Sequence, residues 1–194
     1  MTDKPIKPAA RGTTDDAAAE PSGAAEAAAP SRREPLELYL LRHAHAGDPA
    51  DWEGDDDGRP LTRKGRRQAK RLGSFMRAVG LKPDALVTSS LVRALETAEL
   101  VAKALRTEVV VDPRLAGDLG IGRLDEILGE LDAERPVLIG HDPDFSALVA
   151  MLCGASRIPM KKGALVRLDV ERPLQPGGGV LRWLVPPDLL RTED

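Results

Sequence analysis

The chain has 194 residues, of which 42% are hydrophobic and 30% are charged, as is typical of one globular domain with its own core. Its formal net charge of −3 predicts no role with nucleic acids or membrane surfaces, and no apolar run is long enough to span a bilayer. The single cysteine, Cys153, excludes an intrachain disulfide, and we expect a cytoplasmic protein.

The first 34 residues differ in composition from the rest. They contain ten Ala and four Pro, and beyond Met1 their one large apolar residue is Ile6. Such a segment cannot bury enough apolar surface to fold, and its Asp, Glu and Pro residues interrupt any run typical of a secretory signal. We therefore predict a disordered Ala/Pro-rich tail over residues 1–34 and a folded domain over residues 35–194.

In the folded domain, short apolar runs typical of strands alternate with segments that repeat apolar residues at helical spacing. In its first half we predict strands at residues 36–41 and 84–88. A helix is predicted at residues 62–79, with Thr62 as the N-cap. Its apolar face comprises Ala69, Leu72, Met76 and Val79. The next predicted helix carries its apolar stripe on Leu91, Leu95, Ala98, Ala102 and Leu105.

The second half continues the alternation. We predict strands at residues 108–111 and 137–139, and between them a helix outlined by Ile121, Leu124, Leu128 and Leu131. The run at residues 137–139 is apolar on both faces, which is typical of a central parallel strand. A further helix begins with Asp142 as N-cap and Pro143 at its first position, and it ends at Gly154.

The last predicted elements differ from this pattern. Residues 164–170 and 180–185 each alternate between apolar and polar side chains, and a loop rich in Pro and Gly separates them. This arrangement predicts an antiparallel pair of strands. The whole domain is therefore predicted to have an α/β fold, with a mostly parallel central sheet and an antiparallel C-terminal strand pair.

Three polar motifs follow three of the predicted strands. They are Arg42-His43-Ala44-His45, Ser89-Ser90-Leu91-Val92-Arg93-Ala94 and Gly140-His141-Asp142-Pro143. Because ligands of open α/β sheets bind beyond the carboxyl ends of the strands, we expect these motifs to meet at one site. The chain has three His, and two of them, His43 and His141, stand directly after a predicted strand. We interpret this pair as site residues rather than as separate structural histidines.

The charge of the predicted site points to an anionic ligand. Arg93 lies in the first turn of its helix, where the helix dipole disfavours a cation unless an anion is bound. Arg42 and Arg93 offer planar donors that match phosphate oxygens and stay charged at ordinary pH. A neutral His43 would attack phosphorus in line while the two Arg and a protonated His141 hold its equatorial oxygens. This chemistry requires no metal ion and no cofactor.

These motifs resemble those of the histidine phosphatase superfamily, which has the phosphoglycerate mutase-like fold. Its Arg-His-Gly sequence after the first strand is matched by Arg42-His43-Ala44, with Ala in place of Gly. SixA-type phosphohistidine phosphatases, which often carry Arg-His-Ala, are the more similar group. The resemblance also covers Arg59-Pro60-Leu61-Thr62, Gly65, Ser89, Arg93-Ala94, Thr97 and Gly140-His141-Asp142-Pro143. It implies that His43 is the nucleophile, that Arg42 and Arg93 bind phosphate, that His141 supports the transferring phosphoryl group, and that the fold is a three-layer α/β/α sandwich.

Larger members of the superfamily protonate the leaving group with a Glu or Asp from another loop. Asp118 is the candidate here, although Gly117 and Gly120 beside it are equally typical of a flexible connection. SixA-type enzymes are expected to lack this acid, because a phosphorylated imidazole can leave with its own proton. We therefore expect a phosphoprotein that carries phosphohistidine as the substrate, with a small phosphorylated metabolite or nucleotide as the alternative.

Several other features have more than one interpretation. The loop at residues 47–58, the acidic loop, carries six carboxylates. It is interpreted as a solvated loop rather than a divalent-metal site, because no calcium-loop spacing occurs, with partner recognition as a third interpretation. Trp52 in this loop is either a contact residue or a loop anchor. Lys161-Lys162 is interpreted as a solvated turn rather than a substrate clamp, and Cys153 as a buried structural residue.

Three polar residues near the motifs also remain open. His45 lies either at the pocket rim or in solvent. Thr62 and Ser89 are interpreted as helix caps rather than phosphate ligands. Two further functional classes are disfavoured. A nucleotide-binding module would carry a Gly-rich fingerprint or a phosphate loop, and neither occurs. A catalytically silent interaction protein would depend on the tail.

Overall fold

A six-stranded sheet forms the centre of the computed structural model, which describes residues 35–190. Its strands are β1 (Leu36–Arg42), β2 (Ala85–Thr88), β3 (Val110–Val111), β4 (Pro136–Gly140), β5 (Leu165–Val170) and β6 (Gly179–Val185). The helices are α1 (Arg63–Ala78), α2 (Val92–Leu105), α3 (Ile121–Glu130) and α4 (Asp144–Leu152). Within the described residues, no helix has the length and apolar character required to cross a bilayer. The predicted tail, residues 1–34, lies outside them.

The strand order of the sheet is β3-β2-β4-β1-β5-β6. The first four strands in this order run parallel, whereas β5 is antiparallel to β1 and β6 is antiparallel to β5. The predicted mostly parallel sheet with an antiparallel C-terminal pair is therefore confirmed. The register pairs Arg42 at the end of β1 with Gly140 at the end of β4. The next residues along the chain, His43 and His141, consequently leave the sheet side by side.

Alternate residues of β1 point to opposite faces of the sheet. Leu38 and Leu40 lie in a core shared with α3 and α4, whereas Tyr39 and Leu41 lie in a core shared with α1 and α2. All four side chains are buried. Because helices cover both faces of the sheet, the domain is the predicted three-layer α/β/α sandwich.

The start of α4 differs from the prediction. The helix begins at Asp144, and Pro143 occupies the N-cap position rather than the first helical position. Asp142 lies one residue further out, where its carboxylate accepts hydrogen bonds from the N–H and the hydroxyl of Ser146. The same carboxylate contacts Arg42, so Asp142 connects the start of α4 to the end of β1.

Two other elements are shorter than predicted. The helix α1 ends at Ala78, and Val79, predicted on its buried face, is 55% exposed at the C-cap position. The strand β3 contains Val110 and Val111 instead of residues 108–111, because it is an edge strand that pairs only with the last two residues of β2. Both valines of β3 are largely exposed.

Candidate active site

His43 directly follows β1 and is held in place by its neighbours. Its N–H donates to the carbonyl of Gly140 in β4, and the residue is buried. The ring Nδ1 lies 2.7 Å from the carbonyl oxygen of Ala44. Because a carbonyl oxygen can only accept, Nδ1 carries the proton, and Nε2 of the neutral ring keeps its lone pair. This Nε2 has the form that a nucleophile requires.

His141 directly follows β4, and its ring centroid lies 5.0 Å from that of His43. Its Nε2 lies 2.8 Å from the hydroxyl oxygen of Ser89, which also accepts from the N–H of Leu91. The N-cap position of α2 belongs to Leu91, so the interpretation of Ser89 as the helix cap is wrong, and Ser89 instead positions His141. When the Ser89 hydroxyl donates to Nε2, Nδ1 of His141 carries a proton and can donate to a ligand.

Arg42 is the last residue of β1 and is held by two acceptors. Its Nη1 donates to the carbonyl oxygen of Met160 at 2.6 Å and to the carboxylate of Asp142 at 2.9 Å. These acceptors come from the segment before β5 and from the segment after β4. The guanidinium is therefore fixed at the carboxyl end of the two central strands.

Arg93 lies in the first turn of α2, as predicted, and its side chain is 9% exposed. Its Nη1 donates to the carbonyl oxygen of Asp56 at 2.7 Å and lies 3.2 Å from the carboxylate of the same residue. Arg59 Nε donates to this carboxylate at 2.7 Å. Residue Asp56 of the acidic loop thus contacts a predicted phosphate ligand. The sequence offers one weak signal for this contact, the pairing of opposite charges on Asp56 and Arg59 three positions apart.

Three nitrogen atoms of the site are buried without a hydrogen-bond partner among the described residues: Arg42 Nε, Arg93 Nε and His141 Nδ1. The fourth such side-chain atom within residues 35–190 is the hydroxyl oxygen of Thr88 in β2. A buried donor left unsatisfied costs about 1–3 kcal/mol, and more when it is charged. Since the three nitrogens belong to the residues predicted to hold phosphate, we interpret them as donors to a bound anion.

Both histidine rings are neutral at pH 7. Burial, followed by repulsion from His141 once that ring is protonated and by the charges of Arg93 and Arg42, lowers the pKa of His43 to about 2. Burial, followed by the charges of Arg93 and Arg42, lowers the pKa of His141 to about 4. Without a bound anion His141 is therefore neutral, because the two Arg already supply positive charge, and its protonated form with a phosphoryl group bound stays a prediction. A phosphate dianion would favour the protonated ring and raise this pKa.

Thr97 connects the two halves of the site. Its hydroxyl donates to the carbonyl oxygen of Arg93 at 2.7 Å and accepts from the N–H of Ala44 at 3.1 Å. Within residues 35–190, the non-glycine residues with left-handed backbone are Arg106 and Asp118. Ala44 is not one of them and is fully buried. The position that holds Gly in the Arg-His-Gly motif therefore does not require Gly here.

The remaining predicted residues have different outcomes. Asp118 is exposed in the loop before α3, and its carbonyl oxygen accepts from Arg123, so its role as general acid stays a prediction. His45 is partly buried, and its Nδ1 lies 2.9 Å from the hydroxyl oxygen of Thr62. That oxygen also accepts from the N–H of Gly65, which confirms Thr62 as the cap of α1.

The acidic loop is solvated, as predicted, because residues 48–58 are all exposed. The indole N–H of Trp52 donates to the carbonyl oxygen of Asp55 in the same loop at 3.0 Å, and Trp52 is 39% exposed, so its role as a contact residue or as a loop anchor stays open. In the part of the chain that the structure describes, no three His, Cys, Asp or Glu side chains are grouped to hold a metal ion. Cys153 is only partly buried, at the edge of the core on the α3 and α4 side.

Comparison with known sequences gives consistent matches. Residues 38–144 match the family model described as histidine phosphatase superfamily, branch 1. An uncharacterized protein of Picosynechococcus sp. is 36% identical over 141 residues, which cover 69% of this chain and 84% of that protein. A Cronobacter sakazakii protein named probable phosphoglycerate mutase GpmB is 36% identical over 115 residues, 56% of this chain. The match spans 52% of that protein, about half of its length.

Comparison with solved structures gives the same fold. The protein histidine phosphatase SixA complexed with tungstate superimposes with a TM-score of 0.69 at 24% identity, covering 80% of this chain and 100% of SixA. The alpha-ribazole phosphatase of Shigella flexneri superimposes with a TM-score of 0.60 at 20% identity, covering 78% of this chain and 97% of that protein. Phosphatases named for a protein substrate and for a small molecule therefore share this architecture.

Proposed function

This chain belongs to the histidine phosphatase superfamily, and from that premise we propose that it hydrolyses phosphoryl compounds through a covalent phosphohistidine on His43. The observation that carries the proposal is the hydrogen bond from His43 Nδ1–H to the carbonyl of Ala44, which leaves Nε2 available to attack. Arg42, Arg93 and His141 add three buried nitrogens that suit the oxygens of a phosphoryl group.

The reaction proceeds in two steps. His43 Nε2 forms a bond to phosphorus while the bond from phosphorus to the leaving atom breaks, and the leaving group departs with that electron pair. The imidazole of a phosphohistidine that carries a proton on its other ring nitrogen leaves as a neutral ring and takes no proton from the site. Arg42 and Arg93 stabilise the charge on the equatorial oxygens, and His141 Nδ1–H donates to one of them. Water then attacks phosphorus, the bond to Nε2 breaks, and inorganic phosphate leaves. Water supplies the new oxygen and releases a proton, and His43 returns to its neutral form.

We propose that this reaction needs no metal ion and no cofactor. In metal-dependent phosphoryl transfer, the cation neutralises the oxygens of the transferring group. Here the fixed charges of Arg42 and Arg93 serve that purpose. Turnover should therefore survive prolonged treatment with a chelator. Loss of turnover on chelation, with recovery on adding Mg²⁺, would refute this part of the proposal.

The substrate we propose is phosphohistidine on a protein, because Asp56, the carboxylate that contacts Arg93, is a poor proton donor. Hydrogen bonding by Arg59 and the charge of Arg93 lower the pKa of Asp56, which keeps it ionised at neutral pH. An ionised carboxylate cannot protonate an alkoxide leaving group. An imidazole leaving group can carry its own proton. The fold shared with the protein histidine phosphatase SixA supports the same choice.

A small phosphorylated metabolite is the second candidate substrate. The fold shared with the alpha-ribazole phosphatase favours it, as does the identity to the protein named as a phosphoglycerate mutase. Both candidates use the same chemistry at His43. They differ in the proton that the leaving group needs, so rates on substrates with different leaving groups separate them.

The decisive experiment traps the covalent intermediate. Wild-type protein and His43→Asn are mixed with phosphoramidate, quenched in alkali within milliseconds, digested and analysed by mass spectrometry. We expect an acid-labile phosphoryl group on the peptide that contains His43, and none in the variant. Asn is chosen because its amide can still donate to the Ala44 carbonyl. Normal turnover by His43→Asn would refute the proposed nucleophile.

A further inference from the structure

A basic cleft lies next to the proposed phosphate site. It has a volume of about 400 Å³ and shares Arg42 with that site. Among the described residues, its lining also includes the charged side chains of Lys64, Lys161, Lys162 and Asp188. We call the cleft lined by these five residues the annex. Its four cations exceed its one carboxylate, and the reaction at His43 makes no use of the three Lys.

Separate elements of the fold build the annex. Lys64 lies in the first turn of α1, and Lys161 and Lys162 lie in the segment that leads into β5. Asp188 lies in the 3₁₀ turn Pro187–Leu190 that follows β6, and this turn packs against α1. Cations that come together from distant parts of the sequence differ from a run of charges along one solvated helix face. The fold therefore concentrates positive charge at one place.

Lys162 is the cation in the least favourable surroundings. It is partly buried, and its Nζ donates to the carbonyl oxygen of Gly47 at 2.9 Å. Burial, followed by the charges of Arg59 and Arg42, lowers the pKa of Lys162. The ammonium group is therefore short of negative charge, and an added anion would offset this cost.

Lys161 is in a different situation. It pairs with Asp188 at 2.8 Å, and the side chains are 69% and 60% exposed. An ion pair this exposed contributes little to stability and exchanges readily for another partner. The pair therefore does not neutralise the annex around Lys162 and Arg42. His45, which also lines the cleft, adds no charge, because burial and the charges of Lys64 and Lys162 lower its pKa.

We infer that the annex binds a second anionic group, a carboxylate or a phosphate, of the molecule whose phosphoryl group reacts at His43. This inference rests on the proposed function and narrows the substrate class to phosphorylated compounds with a second anion. The second anion belongs either to an acidic side chain near a protein phosphohistidine or to a small bis-anionic metabolite. Lys161-Lys162 is then part of a substrate clamp, contrary to its interpretation as a solvated turn.

Phosphonates test the inference because they cannot be hydrolysed, so binding is measured independently of turnover. Calorimetry compares methylphosphonate with phosphonoacetate, 3-phosphonopropionate and 4-phosphonobutyrate, and with the carboxamide of each acid. We expect at least one acid to bind about tenfold more tightly than its carboxamide and than methylphosphonate. Lys162→Met should remove most of this gain and Lys162→Arg should restore it. Lys70→Met, on an exposed part of α1, is the matched control and should keep the gain.

Two results would overturn the inference. Either no acid binds more tightly than its carboxamide, or the gain survives both Lys162→Met and Lys64→Met in protein that melts at the wild-type temperature. Failure of the proposed function looks different, because methylphosphonate binding would then be insensitive to Arg93→Ala and no phosphoryl group would form on His43. If the proposed function fails in this way, the annex is not a substrate subsite either.

A second experiment identifies the kind of molecule that carries the second anionic group. Phosphohistidine peptides with Glu or Gln beside the phosphorylated residue are compared as substrates of wild type and Lys162→Met. A preference for Glu that Lys162→Met abolishes assigns the annex to a protein substrate. A gain with the phosphonocarboxylates, without any preference among the peptides, assigns it to a small bis-anionic metabolite.

Discussion

Arg93 Nη1 contacts Asp56 twice, at 2.7 Å from its carbonyl oxygen and at 3.2 Å from its carboxylate. The carbonyl orients the guanidinium, whereas the carboxylate competes with the oxygens of a phosphoryl group for the same positive charge. Arg59 holds that carboxylate beside the site. Asp56 therefore has two opposite effects, and a substitution that keeps its backbone but removes its charge separates them.

Asp56→Asn should tighten the binding of inorganic phosphate about threefold to tenfold, because Asn removes the negative charge and keeps an oxygen for Arg59. The gain should shrink at high salt, since the Asp56 side chain is half exposed. Inhibition constants of phosphate and tungstate measure the effect. Asp51→Asn, an exposed carboxylate of the same acidic loop, is the control. Weaker phosphate binding in Asp56→Asn would show that the carboxylate mainly positions Arg93.

Arg93→Lys should lower kcat/KM about 100-fold or more, although it keeps a positive charge. Arg93 can contact Asp56 through Nη1 and at the same time direct its Nε–H toward the phosphoryl oxygens. Lys has a single ammonium group and cannot make both contacts. Steady-state kinetics and thermal melting measure turnover and stability in parallel. Arg77→Lys, at the exposed end of α1, should behave as wild type in both. Near-wild-type kcat/KM for Arg93→Lys would mean that charge alone is sufficient at this position.

The motifs that contain His43 and His141 are the part of the site that is predictable from the sequence. Strand ends are readable from apolar runs, and polar residues at the ends of neighbouring parallel strands must lie close together. The register of β1 and β4 places His43 beside His141 for this reason alone. Arg93 was predictable because a cation in the first turn of a helix conflicts with the helix dipole.

Contacts between distant side chains are the part that the sequence does not reveal. In the sequence, the one feature that singles out Asp56 among the six carboxylates of the acidic loop is Arg59 three positions further on, and the folded chain brings Asp56 against Arg93, 37 residues away. Ser89 resembles a helix cap from its local sequence, but its hydroxyl contacts His141, 52 residues away. Local propensity decides helix and strand positions, whereas the partner of a polar side chain depends on the tertiary fold.

The neutral rings of His43 and His141 predict a specific NMR titration. With pKa values of about 2 and about 4, neither ring should titrate between about pH 5 and 8 in phosphate-free protein. The ¹⁵N shifts should show His43 protonated at Nδ1 and unprotonated at Nε2. Added phosphate should raise the pKa of His141, because the anion stabilises the imidazolium, and phosphate binding in mild acid should take up a proton. Titration of His43 near its ordinary pKa of 6.5 would contradict the structure.

The same rings predict how stability depends on pH. Their pKa values are lower in the folded chain than the ordinary value of 6.5, so the unfolded chain binds more protons below that pH. Stability should therefore be complete above about pH 6.5 and decline as the pH falls toward 4. His43→Asn has no ring to protonate and should lose less stability between pH 7 and 5 than wild type, as urea midpoints would show. An equal decline in both proteins would place the acid sensitivity in other groups.

Substrate preference should follow the proton that the leaving group needs. General acid catalysis typically contributes ~10²–10⁴-fold, so a site whose nearby carboxylate is ionised should be slow on alkyl phosphates and much faster on phosphohistidine. The measurement is kcat/KM for phosphohistidine, an aryl phosphate and a sugar phosphate, with wild type, Asp118→Asn and Asp56→Asn. If the sugar phosphate is the best substrate and one variant loses it selectively, that carboxylate is the general acid. With a selective loss in Asp118→Asn, the small-molecule candidate would replace phosphohistidine.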